Sequence, residues 1–169
     1  LVKSRSDIDR FLAESPGAPM RTVADIVASG RYHPKLDLLE GIAAGPTDPL
    51  QDPAFVAGYL ARERFMQAVV RLMADAQVST LVYPTCQVVP PLRAETDSGR
   101  WTTLNFPTNT LIGSQTWLPA MTVPAGLSAA GLPVGMEILA RPYDEPTMFR
   151  VAYGFERLRD RRLLPACAR

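Results

Sequence analysis

The stretch from Trp117 to Arg141, WLPAMTVPAGLSAAGLPVGMEILAR, constrains the fold more than any other. It holds two apolar runs, Ala120–Val123 and Pro133–Ala140, separated by a linker of small residues. Pro124, Ala125 and Gly126 are expected to end the first run, because proline cannot donate to a sheet ladder and glycine weakens a strand. Ser128 to Gly131 is a turn cluster. A linker this short between apolar runs predicts an antiparallel hairpin. Neither run alternates cleanly between apolar and polar residues, so both strands are expected to be covered on both faces, as in a sheet flanked by helices. The same pattern also fits two ordinary core strands with no functional role.

The rest of the chain reads as helices that cover such a sheet. Asp7 to Glu14 places Ile8, Phe11 and Leu12 on one helical face, with Ser6 or Asp7 as cap, and Ser15-Pro16-Gly17 stops it. Thr22 is the expected cap of a short helix from Val23 to Ser29, closed by Gly30. Pro34 opens another short helix through Leu38, Leu39 and Ile42. Gly45 to Pro53, with its prolines, reads as an extended connection. The longest helix is expected from Pro53 to about Ala76, with Asp52 as cap and Phe55, Tyr59, Phe65, Val69 and Leu72 as its core stripe. A brief strand, Thr80 to Tyr83, ends at Pro84, and Thr85 to Trp101 is a long loop of the kind that carries binding residues beside a rigid sheet. Asn105 to Gln115 is partly helical. The last helix is capped by Asp144 and buries Val151, Phe155 and Leu158. Pro165 starts a short tail.

Composition excludes several classes. The chain of 169 residues is 47% apolar with a formal charge of +1, which gives no reason to propose a nucleic-acid or membrane-surface partner. Arg157, Arg159, Arg161 and Arg162 cluster near a helix end, where cations suit the dipole. Cys86 and Cys167 do not make a disulfide framework, and nothing demands an oxidising compartment. No basic-then-apolar leader opens these residues and no apolar run is long enough to cross a bilayer; the expected localisation is cytoplasmic. His33 is the sole histidine and cannot build a multi-histidine metal site. There is no phosphate-binding glycine loop, and no metal or cofactor is expected.

Two runs, PAMTVPAG and then GLPVGMEILARPYDEPTMFRVAYGFE, closely resemble the end of the amidase signature family. The resemblance is dense from Thr80 to Leu158 and weaker from Asp7 to Ala76. It implies an α/β fold, part of a mixed β-sheet covered by helices, with residues 1–169 as the carboxyl-terminal portion of one amidase domain. Residues 1–51 form a helical lead-in, and 52–169 supply the long helix, the strands and the final helix. It also implies a serine amidohydrolase that forms an acyl-enzyme from a small-molecule carboxamide and releases ammonia or an amine. The family's catalytic set is two serines and a lysine, in a glycine- and serine-rich segment that has no match here. The only lysines, Lys3 and Lys35, lie outside that context. No catalytic residue is therefore assigned, and the triad is expected upstream of Leu1, in a portion of the same enzyme that acts as partner to these residues. An exposed apolar surface is expected where that portion docks, with homo-oligomerisation as another way to cover it.

The expected contribution of these residues is a wall of the substrate pocket. The resemblance places Cys86 and Gln87, after the YPT strand, and Asn109, Thr110, Gln115 and Trp117, before the PAMTVPAG strand, near the acyl group. The family often has glycine where this chain has Trp117. Members acting on glutaminyl-tRNA-like substrates tend to be acidic where this chain, on a loose alignment, has Pro107. Both departures favour an aromatic or apolar amide over a polar one. The alternatives are that Trp117 packs in the core and that Cys86 is inert packing. At the level of the whole chain, the alternative is a non-catalytic binding or interaction module.

Overall fold

A computed structural model describes residues 2–158. Arg159, Arg161, Arg162, Pro165 and Cys167 lie outside the described residues. The chain divides into two compact units, one of residues up to Ala61 with Thr102–Leu104, the other of Arg62–Trp101 with residues from Asn105 onward.

The first unit is helical. Helix α1 spans Ser4–Glu14, starting earlier than its acidic run suggests; the residue before it, Lys3, is already in helical geometry and no side chain caps it. Helix α2 is Val23–Ser29. Thr22 accepts from the Asp25 N–H at 3.1 Å while the Asp25 carboxylate accepts from the Thr22 N–H at 2.9 Å, a reciprocal cap that satisfies two otherwise orphaned donors. Gly30 closes the helix at φ 64°, a conformation that costs glycine nothing. Helix α3 is Leu39–Ala43, beginning after the Pro34 segment rather than at it. A short 3-10 helix, Pro49–Gln51, interrupts the connection that was expected to be extended. Arg5 ties α1 to the Gly45 carbonyl at 2.7 Å.

Helix α4, Pro53–Asp75, begins in the first unit and ends in the second. Asp52 caps it, accepting from the Ala54 N–H at 2.9 Å. In the second unit Val69 and Met73 of this helix are buried, with Met66 and Val70 half-buried beside them. Of the expected stripe only Val69 is buried; Tyr59, Phe65 and Leu72 are exposed. The helix is apolar around much of its circumference, so helical spacing is satisfied by more than one face and packing decides which is covered.

The sheet belongs to the second unit. Strand β1, Thr80–Pro84, pairs antiparallel with β3, Pro133–Ala140, and β3 pairs antiparallel with β2, Ala120–Leu127, in the order β1-β3-β2. The three described strands are thus all antiparallel. β2 does not stop at Pro124. The ladder shifts register between Pro124 and Gly126 and resumes to Leu127. A proline is tolerated there because β2 lies at the edge of the described sheet and the missing N–H falls at a bulge. The Ser128 N–H donates to the Leu132 carbonyl at 2.8 Å, closing the hairpin.

Two further helices interrupt the loops, α5 at Arg93–Asp97 and α6 at Leu111–Thr116. The α5 helix lies inside the segment expected to be loop. Its start is fixed locally, with Glu95 accepting from the Leu92 N–H at 3.0 Å. Helix α7, Glu145–Arg157, covers one face of the sheet, packing Met148 and Ala152 with Val123, Ile138 and Ala140. Asp144 precedes α7 but its side chain makes no cap, and Leu158 falls past the end of the helix, exposed. On the opposite face Leu139 packs with Leu118 and Val69 of α4. Four consecutive residues of β3, Glu137 to Ala140, are therefore buried. Covering on both faces is realised in β3 alone; Val82 in β1 and Leu127 in β2 stay exposed.

Helix α6 lies close over the second face because Gly113 has no side chain. A Cβ there would stand 2.9 Å from the Ala120 Cβ and 3.6 Å from Leu139 Cδ1. Gly113→Ala is expected to destabilise the second unit by about 1–3 kcal/mol through overpacking. Gly58→Ala, at an open helical position with nothing within 4 Å, is expected to stabilise by up to about 1 kcal/mol from helix propensity. Urea midpoints of the two variants check both signs.

Candidate functional site

Along β3 the residues Gly135, Glu137 and Leu139 share one face, and their cross-strand partners share it with them. Tyr83 stands opposite Glu137 on β1, and Thr122 opposite it on β2. The Tyr83 hydroxyl donates to Glu137 Oε1 at 3.0 Å. Glu137 is 3% exposed, so its carboxylate depends on such donors. Burial, then the neighbouring Glu137 charge, holds the Tyr83 phenol well above the usual tyrosine range.

Beyond this pair the face becomes a threonine-lined cavity. Thr85 follows β1, its N–H donating to the Gly135 carbonyl at 3.1 Å and its hydroxyl to Thr122 Oγ1 at 3.3 Å. A Cβ at position 135 would lie 2.7 Å from Thr122 Cγ2 and 2.9 Å from Thr85 Oγ1. Only glycine lets the two threonines meet. The cavity, about 360 Å³, is lined by Thr85, Cys86 and Thr122 together with Val88, Pro90, Pro91, Phe106 and Val134.

The expected site residues fall into two groups. Cys86 bridges to Thr108 in an isolated antiparallel pair. Gln87 donates from its backbone to the Pro107 carbonyl at 3.0 Å and from its side chain to Asn109 Oδ1 at 3.0 Å. Asn109 donates to the Pro84 carbonyl at 2.7 Å. The Thr110 hydroxyl lies 2.9 Å from that of Thr108. Cys86, Gln87, Asn109 and Thr110 thus form one hydrogen-bonded patch where the β1 loop meets the lead into α6. Cys86 is exposed, with Sγ 3.8 Å from Thr108 Oγ1, and is not core packing.

Gln115 and Trp117 lie at the other end of α6. Trp117 ends that helix in the left-handed region, φ 56°, and is 50% exposed rather than in the core. The Arg62 guanidinium sits 4.2 Å from the centre of its ring. Arg62 Nε also donates to the Gln115 carbonyl at 3.1 Å and Nη2 to the Ser114 carbonyl at 2.8 Å. Sequence reasoning missed Arg62, along with Thr85, Thr122 and Gly135. Their roles come from long-range contacts that no local pattern carries.

The patch supplies amide and hydroxyl groups beside apolar walls. The chain's lysines and its histidine all belong to the first unit. Among the described residues no group of His, Cys, Asp and Glu gathers to hold a metal ion, and no helix is long and apolar enough to cross a membrane. Such an arrangement can shape and orient a small ligand. The described second unit offers no nucleophile–base pair of the usual kind.

The Amidase family model matches residues 11–149. The chain belongs to the amidase family. Its fold resembles the peptide amidase PAM in complex with the competitive inhibitor chymostatin, with a TM-score of 0.73 and 27% identity over 93% of this chain and 32% of that one. The native peptide amidase of Stenotrophomonas maltophilia gives a TM-score of 0.72 and 26% identity over 93% of this chain and 31% of that enzyme. Among curated relatives, a glutamyl-tRNA(Gln) amidotransferase subunit of Granulibacter bethesdensis is 33% identical over 102 residues, 59% of this chain and 20% of the relative. The corresponding Myxococcus xanthus protein is 51% identical over 43 residues, 25% of this chain and 9% of its own length. The chain therefore spans about a third of the solved amidases and a fifth or less of these curated relatives.

The Tyr83–Glu137 pair generates a test of the site's stability. A raised phenol pKa means that above the ordinary tyrosine value of 10.0 the unfolded chain loses its proton while the folded one keeps it. Stability from Tyr83 is thus fully present below about pH 10 and declines as the pH rises beyond it. Tyr83→Phe is expected to cost about 1–3 kcal/mol at neutral pH, because the buried carboxylate loses a donor. It is also expected to flatten the alkaline decline in urea midpoint between pH 8 and 11.

Proposed function

We propose that this chain is a portion of an amidase domain that hydrolyses a small carboxamide, and that it walls the substrate pocket. The observation that carries this reading is the patch of Cys86, Gln87, Asn109 and Thr110 beside an apolar cavity, in a member of the amidase family that contains no serine–lysine segment. The chemistry falls to a segment of the same polypeptide outside these 169 residues. There a serine attacks the carboxamide carbon, the C–N bond breaks with proton transfer to the departing ammonia or amine, and water releases the acid from the acyl-enzyme.

Substrate preference follows from the walls. Val88, Pro90, Pro91, Phe106 and Val134 line the cavity, and Trp117 presents half of its surface. Pro107, where glutaminyl-type members tend to carry an acid, only lends its carbonyl to Gln87. These features favour an aromatic or apolar acyl group over the polar glutamyl group for which the curated relatives are named. The exposed Phe65, Leu72 and Val82 are surfaces that the remaining portion of the enzyme would cover. A cytoplasmic enzyme needing neither metal nor cofactor fits the same reading.

The test assays the gene product that carries these residues, and the 169-residue chain alone, against phenylacetamide, isobutyramide and glutamine. Turnover is expected from the gene product, fastest with phenylacetamide, and none from the chain alone. No turnover by either would contradict the hydrolase and leave a binding module. Turnover by the chain alone would place the catalytic residues inside it.

A further inference from the structure

We infer that Arg62 is a positioning residue that sets aryl preference by fixing Trp117, an inference that rests on the pocket-wall reading. Tryptophan in the left-handed region is strained, because its Cβ crowds the following carbonyl, and such strain persists only where the surroundings enforce it. Arg62 provides the enforcement. One guanidinium makes three contacts at once: a cation–π contact over the indole, 4.2 Å from its centre, and hydrogen bonds to the Gln115 and Ser114 carbonyls at 3.1 and 2.8 Å. Those carbonyls belong to the last turn of α6, where backbone acceptors lack intrahelical donors. Cationic nitrogens there also offset the negative end of the helix dipole. The planar guanidinium can stack and donate in the same pose, which a lysine ammonium cannot do.

The consequence is a half-exposed indole whose orientation is set from α4. A fixed aromatic plane binds a planar aryl group with little loss of side-chain freedom, whereas a free one must be ordered at the moment of binding. Arg62 touches no substrate in this scheme. Its effect passes through the ring of Trp117, and the ligand class is an aryl amide.

Binding rather than turnover tests this, so failure of the hydrolase reading does not decide it. Trp117 emission is followed in the 169-residue chain carrying Trp101→Phe, which leaves one tryptophan, while phenylacetamide or isobutyramide is titrated. The Arg62 chain is expected to favour phenylacetamide. Arg62→Lys and Arg62→Met are expected to reduce that preference by about threefold to tenfold, the scale of a lost stacking contact and its ordering, and to lower Trp117 anisotropy. Isobutyramide binding should stay within about twofold, since aliphatic amides gain little from an aromatic plane. Unchanged preference in a folded Arg62→Lys chain would overturn the inference, as would equal weakening for both amides, which a merely structural role would give. Should Arg62→Met fail to fold, Arg62→Lys decides alone.

Discussion

Burial of β3 from Glu137 to Ala140 is the constraint on which the second unit depends. A strand whose consecutive residues are all buried needs a layer on each side. The α7 helix supplies one through Met148 and Ala152, while α4 and Leu118 supply the other. Burying Ile138 and Leu139 completely contributes on the order of 1.5–3 kcal/mol each. It also fixes the register of both neighbours, because a slip by one residue would turn Ile138 and Leu139 to opposite faces. Every other feature of this unit is placed relative to that fixed strand.

A carboxylate in the middle of the buried run shows what the register secures. Glu137 is tolerable only with the Tyr83 hydroxyl opposite it, and Tyr83 is opposite only in this register. Two residues along the same face, Gly135 leaves room for Thr85 and Thr122 to meet, and the apolar cavity opens beside them. The face runs from apolar at Leu139, through a satisfied carboxylate, to hydroxyls at the cavity. Helix α6, which separates Asn109 and Thr110 from Gln115 and Trp117, is held down at Gly113 by close contact and at its end by Arg62.

Local chemistry made part of this readable from the residues. The Thr22 cap, the Gly30 stop and the Asp52 cap each depend on neighbours within a few positions, and the extent of β3 follows one unbroken apolar run, so the residue order states them directly. The length of β2 was not readable, because whether Pro124 breaks a strand depends on that strand lying at an edge. Nor was the buried side of α4, since an apolar stripe can be drawn through Phe65 and Leu72 as well as through Met66 and Met73. The resemblance brought Cys86, Gln87, Asn109, Thr110, Gln115 and Trp117 forward. It carried no sign that the first four join one hydrogen-bonded patch while the last two sit at the far end of α6 beside Arg62. That separation arises from contacts between residues more than twenty positions apart.

What joins the fold to the proposed substrate wall is a patch built from a loop, a bridge and a short helix beside one buried strand. Backbone amide NMR shifts of the 169-residue chain titrated with phenylacetamide test that wall most directly. A substrate wall predicts saturable shifts at residues 85–88, 107–110 and 115–117, with little change in the first unit. Shifts confined to the first unit, around its cavity lined by Lys3, Asp48, Leu50 and Tyr59, would contradict it, as would no shifts at all.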